Sequence, residues 1–279
     1  MRDTGSTRYG IGIPSRGRTD KLIETLEAIF NQTLQPSLIV VIDNNEGLDI
    51  DLKSVLAHTQ APSNVSMIIK AGDSNNLSDA FGSQKALNIF TAFGYGYAVK
   101  WDDDLVPELD CMEKLIGLLH QQGCVAAGGM YPKEPADKAE SFSRLVGDKP
   151  ISTNDDMASH LQFYHWQGEP KIISLPCLYS SFAYNVHKAN IIGGFAKCYS
   201  QHSYGHETDF TLRLAQLGKL CVDTSAVAIH GWCEGGVRIF DEKKSLKLRT
   251  KDFDTFTKRM NSFGIDSKAW RYINGQVET

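Results

Sequence analysis

The chain has 279 residues, of which 42% are hydrophobic and 22% charged, and its formal net charge at pH 7 is −4. This composition is typical of a soluble globular protein with a buried core, and the net charge does not favour nucleic-acid binding over the whole surface. No apolar run is long enough to span a bilayer, and the first residues lack the apolar segment of a signal peptide. The six cysteines show no CxxC spacing, so we expect free thiols in a reducing compartment. We therefore expect a cytoplasmic protein, with a peripheral position at the inner membrane face as the alternative.

The first hundred residues alternate between short apolar runs and segments of helical periodicity. The runs YGIGI, SLIVVID, VSMIIK and GYGYAVKW predict strands. Residues 22–30, 52–58 and 78–93 predict the helices between them. Strand–helix–strand repetition at this spacing predicts right-handed crossovers and a mainly parallel sheet flanked by helices.

The second half of the chain is less regular. Apolar runs and helical spacing predict further elements in this order: a helix at 111–120, a strand at 124–131, an interrupted strand at 171–186, helices at 187–195 and 206–218, and one or two strands at 219–230. Residues 132–156 are polar and predict a long loop, whereas the tail from Asp241 predicts a helix. Because no Gly/Ser-rich linker divides the chain, we predict a single domain with an elaborated C-terminal half.

Polar clusters follow three of the predicted strands, at the point where each strand ends. These clusters are Pro14–Arg16, Asp43 and Asp102–Asp104. The carboxyl ends of parallel strands meet at one edge of a sheet, where ligands of α/β proteins collect. The sequence therefore predicts a binding site at this edge, which we call the rim.

The acidic triplet Asp102–Asp104 places three mutually repelling carboxylates directly after a strand. A divalent cation accepts oxygen ligands and relieves this repulsion, and Mg²⁺ or Mn²⁺ typically completes its shell with substrate phosphates. The alternatives are a solvated acidic loop and a helix N-terminal cap formed by Asp104. We favour a metal site.

Several ordered segments carry a resemblance to a known family. IGIPSRGRTDKLIETLEAIFNQTLQPSLIVVIDNNEG resembles the opening of glycosyltransferase family 2, the inverting sugar-nucleotide enzymes of GT-A fold. WDDD resembles the D-x-D motif of that family. The later family segment, in which an acidic pair opens a helix, resembles IIGGFAKCYSQHSYGHETDFTLRLAQLGKL. AIHGW resembles the strand whose histidine completes the metal site. The resemblance implies a Rossmann-like GT-A domain over 1–279, with a nucleotide-binding half at 1–105, an acceptor and catalytic half at 106–240 and a helical tail at 241–279.

The resemblance also implies roles for residues on the donor side. Asp43 matches an acceptor for the nucleobase imide, with a turn residue at the strand end as the alternative. Pro14, Ser15 and Arg16 match a loop against the nucleoside, and for Arg16 phosphate contact and simple exposure are the alternatives. The implied metal site consists of Asp102, which also lies near the ribose, Asp104 and His230. For His230, contact with the diphosphate and a purely structural role are the alternatives. Further candidates for contact with the donor, each with an exposed or structural role as the alternative, are Arg18, Lys85, Asp103 and Arg238, the last in a Gly-hinged segment.

The sequence departs from the family pattern at the position of the general base, the residue that deprotonates the acceptor hydroxyl. Alignment on TLRL places His206 and Glu207 where the family has Glu-Asp. A glutamate performs the same proton transfer as an aspartate if the geometry permits, so we favour Glu207 as the base. Asp209 is the alternative base, although its helix face is shared with Arg213 and predicts an ion pair. Both acidic groups also complement a helix N-terminus, which is the structural alternative.

The resemblance implies a metal-dependent inverting glycosyltransferase that moves one sugar from a nucleotide-sugar, first of all a UDP-sugar, to an acceptor hydroxyl with Mn²⁺ or Mg²⁺. The acceptor stays open among a saccharide, a lipid-linked molecule and another hydroxyl compound. The alternatives are a non-catalytic nucleotide-sugar or carbohydrate-binding module and a glycosyltransferase acting on modified nucleic acid. Residues 241–260 hold seven Lys/Arg against four Asp/Glu, which predicts at most a weak contact with an anionic membrane or nucleic acid, or simply a solvated helix face.

Overall fold

The structure is a computed structural model that describes residues 8–45, 55, 57–59, 61–72, 77–121, 123–133, 161–163, 165–166, 168–231 and 241–265. Most of the predicted loop at 132–156 and all of the Gly-hinged segment with Arg238 lie outside these residues. The strands are β1 (Tyr9–Ser15), β2 (Leu38–Asp43), β3 (Ser66–Ala71), β4 (Tyr97–Lys100), β5 (Leu105–Pro107), β6 (Cys124–Met130), β7 (Ile172–Ser174), β8 (Phe182–Asn185) and β9 (Lys219–His230). The α-helices are α1 (Thr19–Phe30), α2 (Asp79–Ala92), α3 (Cys111–Leu119), α4 (Val186–Ile191), α5 (His206–Leu214) and α6 (Glu242–Ser262).

One sheet connects the strands of both halves, in the order β3-β2-β1-β4-β8-β6-β9-β5, with β7 paired to β9. The predicted α/β fold with a central sheet flanked by helices is confirmed. The strands β3, β2, β1 and β4 pair in parallel, as their strand–helix–strand sequence predicts. In the second half β8 lies antiparallel between β4 and β6, and β9 pairs antiparallel with β5 and β7. The sheet is therefore parallel in its first half and mixed in its second.

Two apolar layers cover the two faces of the sheet. On one face, α1 and α3 bury residues such as Leu26 and Leu115. On the other face, α2, α4 and α5 bury residues such as Phe90, Ala189 and Phe210. Alternate residues of each buried strand face opposite layers, which is why the strands are apolar on both sides.

The glycines of the first strand permit close packing of α2 against the sheet. A Cβ atom at Gly10 would lie 2.3 Å from the Phe90 ring, and one at Gly12 would lie 2.7 Å from the Cβ of Ala86. The alternation YGIGI therefore places large side chains toward α1 and leaves room for α2 on the opposite face. This packing fixes the start of α2 beside the carboxyl end of β4.

The last helix, α6, buries only a narrow stripe that includes Asp252, Phe256 and Met260. Phe256 and Met260 pack with Tyr199 and Leu212 in a small third cluster. Five lysines on α6 are exposed, namely Lys243, Lys244, Lys247, Lys251 and Lys258. The predicted contact of this helix with a membrane or nucleic acid stays a prediction.

Within the described ranges no helix combines the length and apolarity that a membrane crossing needs. The described cysteines, Cys111, Cys124, Cys177, Cys198 and Cys221, are free thiols.

Candidate functional site

The rim forms where β1, β2 and β4 end side by side. Ser15 pairs in register with Asp43, and Gly12 pairs with Lys100, so the carboxyl ends of the three strands meet. The acidic triplet follows β4 directly. The antiparallel pair β5–β9 then places His230 opposite Leu105, next to the triplet. A histidine more than a hundred residues away in sequence thus reaches the rim through strand pairing.

Asp102, Asp104 and His230, which the family resemblance implies as a metal site, lie close together. Each offers one ligand atom, and these atoms lie within 4.8 Å of one another. His230 Nε2 lies 3.9 Å from Asp102 Oδ2 and 3.8 Å from Asp104 Oδ1. Two carboxylates and an imidazole form a donor set that suits a divalent cation such as Mn²⁺ or Mg²⁺. The residues present therefore fit the implied metal.

The third member of the triplet, Asp103, faces away from this group and into the protein. Its side chain is fully buried, accepts a hydrogen bond from Ser15 Oγ at 2.6 Å and lies 2.5 Å from Arg18 Nη2. Burial raises the pKa of Asp103 to about 7, although Arg18 opposes that rise. Nη1 of Arg18 donates to Asp104 Oδ2 at 2.7 Å. Arg18, one of the candidates for donor contact, thus binds both Asp103 and Asp104.

A buried lysine lies at the centre of the site. Lys100 is 2% exposed, and its Nζ lies 2.5 Å from Asp102 Oδ1 and 3.2 Å from Asp79 Oδ2. The same ammonium contacts Glu207 Oε1 and donates to the Ser180 carbonyl at 2.8 Å. Burial alone would lower the pKa of Lys100, but the charges of Asp102, Asp79 and Glu207 raise it well above its usual value. Lys100 is therefore a buried cation whose charge offsets part of the negative charge of the site.

Sequence reasoning missed Lys100, Asp79 and Ser180 as site residues. One signal was present for Lys100, because a lone lysine ends the apolar strand just before the acidic triplet. Asp79 opens α2, and its Oδ2 lies 3.3 Å from His206 Nε2. Although burial opposes it, Lys100 and His206 hold the pKa of Asp79 below its usual value. The position of Asp79 depends on how α2 packs against the sheet, and no local sequence pattern predicts that packing.

Glu207 projects into the site from the first turn of α5. Its Oε1 contacts Lys100, and its Oε2 accepts a hydrogen bond from the Ser180 backbone N–H at 3.1 Å. Burial raises the pKa of Glu207, and the charge of Lys100 opposes that rise. A carboxylate with a raised pKa is suited to proton abstraction.

Asp209 lies outside this site, although it is only two residues from Glu207. Its carboxylate is fully buried and accepts hydrogen bonds from Arg213 Nε at 2.5 Å, Arg259 Nε at 2.5 Å and Tyr199 Oη at 2.9 Å. The predicted pairing with Arg213 is confirmed. The structure does not bring Asp209 together with the rim, and it links α5 to α6 instead.

The remaining donor-side candidates are Asp43, Pro14, Arg16 and Lys85. Asp43 is buried, and its Oδ1 accepts hydrogen bonds from the backbone and side-chain N–H groups of Asn45 at 3.0 and 2.7 Å. Pro14 is a buried member of β1, and Arg16 is half-buried just after it. Lys85 on α2 donates to the Ala71 carbonyl at the end of β3.

Comparisons with known proteins bear on the fold. No family model and no curated protein matches the sequence. The mannosyltransferase PcManGT from Pyrobaculum calidifontis, solved with GDP-Man and Mn²⁺, superposes with a TM-score of 0.59 at 14% identity, covering 89% of this chain and 64% of that one. TarS of S. aureus superposes with TM-scores of 0.51 for a fragment of residues 1–349 and 0.54 for a longer chain, both at 9% identity. This chain is covered to 97% in both TarS comparisons, which cover 76% and 46% of the TarS chains. The chain thus shares the glycosyltransferase-type fold and spans less than two thirds of the mannosyltransferase.

Proposed function

We propose that the protein is a metal-dependent glycosyltransferase of the family 2 type that transfers one sugar from a nucleotide-sugar to an acceptor hydroxyl with inversion. The observation that carries this proposal is the convergence of Asp102, Asp104 and His230 beside Glu207, at the strand ends of a fold that it shares with glycosyltransferases. One site would therefore combine a cation-binding group with an adjacent base.

On the donor side, Asp102, Asp104 and His230 would hold Mn²⁺ or Mg²⁺, and the imidazole ligand favours Mn²⁺ because Mg²⁺ prefers oxygen. When bound, a divalent metal supplies charge stabilisation to the departing diphosphate. Asp43 would accept a hydrogen bond from the nucleobase, and Pro14–Arg16 would line the nucleoside. Lys85 and Arg238 remain proposed contacts of the diphosphate, and Asp103 with Arg18 supports the metal ligands.

On the acceptor side, Glu207 would take the proton from the attacking hydroxyl at one of its carboxylate oxygens. The acceptor oxygen would then form a bond to the anomeric carbon while the bond to the diphosphate breaks on the opposite face. A single displacement of this kind inverts the anomeric centre. The buried ion pairs of Asp209 leave Glu207 as the proposed base.

The proposal extends to the identity of the donor nucleotide and of the acceptor. A UDP-sugar is the first donor to test, with GDP- and dTDP-sugars as the others. The acceptor would be a saccharide, a lipid-linked molecule or another hydroxyl compound in the cytoplasm. The exposed lysines of α6 support a weak contact with an anionic membrane surface, through their charge alone.

A thermal-shift screen of UDP-, GDP- and dTDP-sugars, with and without Mn²⁺, tests the proposal. We expect one nucleotide class to raise the Tm in a Mn²⁺-dependent manner and Mn²⁺ to support slow hydrolysis of that donor. Binding without turnover would instead identify a non-catalytic nucleotide-sugar module. No shift with any donor would overturn the proposal.

A further inference from the structure

Two residues connect the proposed metal ligand Asp102 with the proposed base Glu207. Lys100 Nζ contacts Oδ1 of Asp102 and Oε1 of Glu207. Ser180 contacts the other oxygen of each, because its hydroxyl donates to Asp102 Oδ2 and its backbone N–H donates to Glu207 Oε2. Lys100 also donates to the Ser180 carbonyl at 2.8 Å, which ties the two connecting residues together.

The backbone at Ser180 has an unusual conformation. Its φ is 58°, in the left-handed region that non-glycine residues seldom adopt. Such conformations cost free energy and persist where surrounding contacts enforce them, often at functional sites. Here the conformation lets one residue present its N–H, its hydroxyl and its carbonyl to three different partners in the site.

The sheet register explains why these residues meet. Lys100 pairs with Phe182 in the antiparallel pair β4–β8, so Ser180, two residues before Phe182, arrives beside the end of β4. Lys100 itself is 2% exposed and Ser180 is 6% exposed. Both residues are therefore held by buried structure rather than by a surface loop.

We propose that Lys100 and Ser180 form a positioning bridge that fixes Glu207 relative to Asp102, and thus fixes the acceptor-activating group relative to the donor-binding group. This inference rests on the proposed function. A buried lysine that only balanced the charge of the carboxylates would need no second residue to act with it. Here Lys100 and Ser180 together contact both oxygens of Asp102 and both oxygens of Glu207. Displacement transfer needs the acceptor oxygen and the anomeric carbon in line, and small misplacements of catalytic groups cost large factors in rate.

A double-mutant cycle with Lys100→Met and Glu207→Gln tests the bridge in the full-length protein, at saturating donor and Mn²⁺. We expect Lys100→Met alone to lower the kcat of sugar transfer about 10- to 100-fold. In the Glu207→Gln background, Lys100→Met should lower kcat less than about threefold, because a positioning residue acts through the group that it positions. Lys114→Met is the matched control, since Lys114 also binds a carboxylate and a backbone carbonyl, those of Asp110 and Ser225, outside the site.

A second measurement needs no turnover. Ser180→Ala removes only the hydroxyl that holds Asp102, and we expect it to raise the Kd for Mn²⁺ alone about tenfold, as removing a partner of a metal ligand commonly does. An unchanged Kd for Mn²⁺ would overturn the bridge. If Lys100→Met fails to fold, the cycle is run in an Asp79→Asn background, where the site carries one negative charge fewer.

The outcomes separate the bridge from the function on which it rests. Multiplicative effects of Lys100→Met and Glu207→Gln in an active protein would overturn the bridge and leave the transferase proposal intact. Absence of transfer and hydrolysis by the unmodified protein would overturn both.

Discussion

Arg18 holds Asp104 by one oxygen and leaves the other facing His230. The Arg18 Nη1 group donates to Asp104 Oδ2 at 2.7 Å, whereas His230 Nε2 lies 3.8 Å from Oδ1. The same guanidinium contacts the buried Asp103 through Nη2. Arg18 is thus a fixed counter-charge on the protein side of the proposed metal ligands.

Replacement of Arg18 by glutamine should destabilise the protein and make it more dependent on metal. Removing one partner of a buried ion pair costs about 3–5 kcal/mol, because the carboxylates of Asp103 and Asp104 lose their counter-charge. A divalent cation would supply part of the lost charge. Thermal unfolding should therefore show a lower Tm for Arg18→Gln and a larger rise in Tm on adding Mn²⁺ than for the unmodified protein.

Arg8→Gln is the matched control for this measurement, because Arg8 lies before β1 and contacts Tyr95 rather than the rim. It should change neither the response to Mn²⁺ nor, by more than about 1 kcal/mol, the stability. An equal response to Mn²⁺ in Arg18→Gln and the unmodified protein would contradict the role of Arg18 as counter-charge.

The rim was predictable from the sequence because polar residues mark the carboxyl end of each of its strands. Asp43 and the triplet follow apolar runs directly, and parallel strands align those ends. The contact of His230 with the triplet was implied by the family resemblance and not by any local pattern. In the structure it depends on the antiparallel pair β5–β9.

The charge partners within the site could not be predicted in the same way. Helical spacing allowed the pair of Asp209 with Arg213 to be anticipated, but the contact with Arg259 depends on how α6 docks. Arg18 follows the first strand, as a donor-binding arginine would, and only the packed structure shows it engaged with Asp103. Local sequence places Asp43 and the triplet at the rim, whereas long-range packing brings His230 to it and decides which charged groups neutralise one another.

Asp104→Asn should remove the response to metal while keeping the fold. The asparagine retains the size of the side chain and an oxygen that accepts from Arg18, but it loses the charge that attracts a divalent cation. We expect the Mn²⁺-dependent rise in Tm to disappear. Metal-supported donor hydrolysis should fall at least about 100-fold, since metal charge stabilisation is worth several kcal/mol. Asp110→Asn, at the half-exposed residue just before α3, should leave both signals unchanged. Retained activity of Asp104→Asn would remove its metal role.

Glu207→Gln and Asp209→Asn should separate chemistry from stability. Glu207 faces Lys100 in the site, so its replacement should lower kcat about 10²- to 10⁴-fold, the usual contribution of a general base, and spare the donor Kd. Asp209 neutralises two arginines in the interior, so Asp209→Asn should lower stability by about 3–5 kcal/mol. The Tm of both variants is measured by calorimetry, and their activity is measured well below the lower of the two Tm values. Together the two measurements show which residue acts in the chemistry and which in stability. A stable but inactive Asp209→Asn would reverse the assignment of the base.

Asp252→Ala should release α6 from the loop that leads into α5. The buried carboxylate of Asp252 accepts hydrogen bonds from the Ser200 N–H at 2.6 Å, the Ser200 hydroxyl at 2.7 Å and the Tyr204 N–H at 2.9 Å. Its removal leaves two backbone donors without this acceptor, so we expect a loss of about 2–4 kcal/mol in the free energy of unfolding. Hydrogen exchange should accelerate in α6 and around Ser200–Tyr204 more than in β1 or β2, because the lost contacts are local. Asp254→Ala, an exposed carboxylate on the same helix, should change neither measurement. Uniform acceleration across the sheet would show instead that α6 unfolds only together with the whole protein.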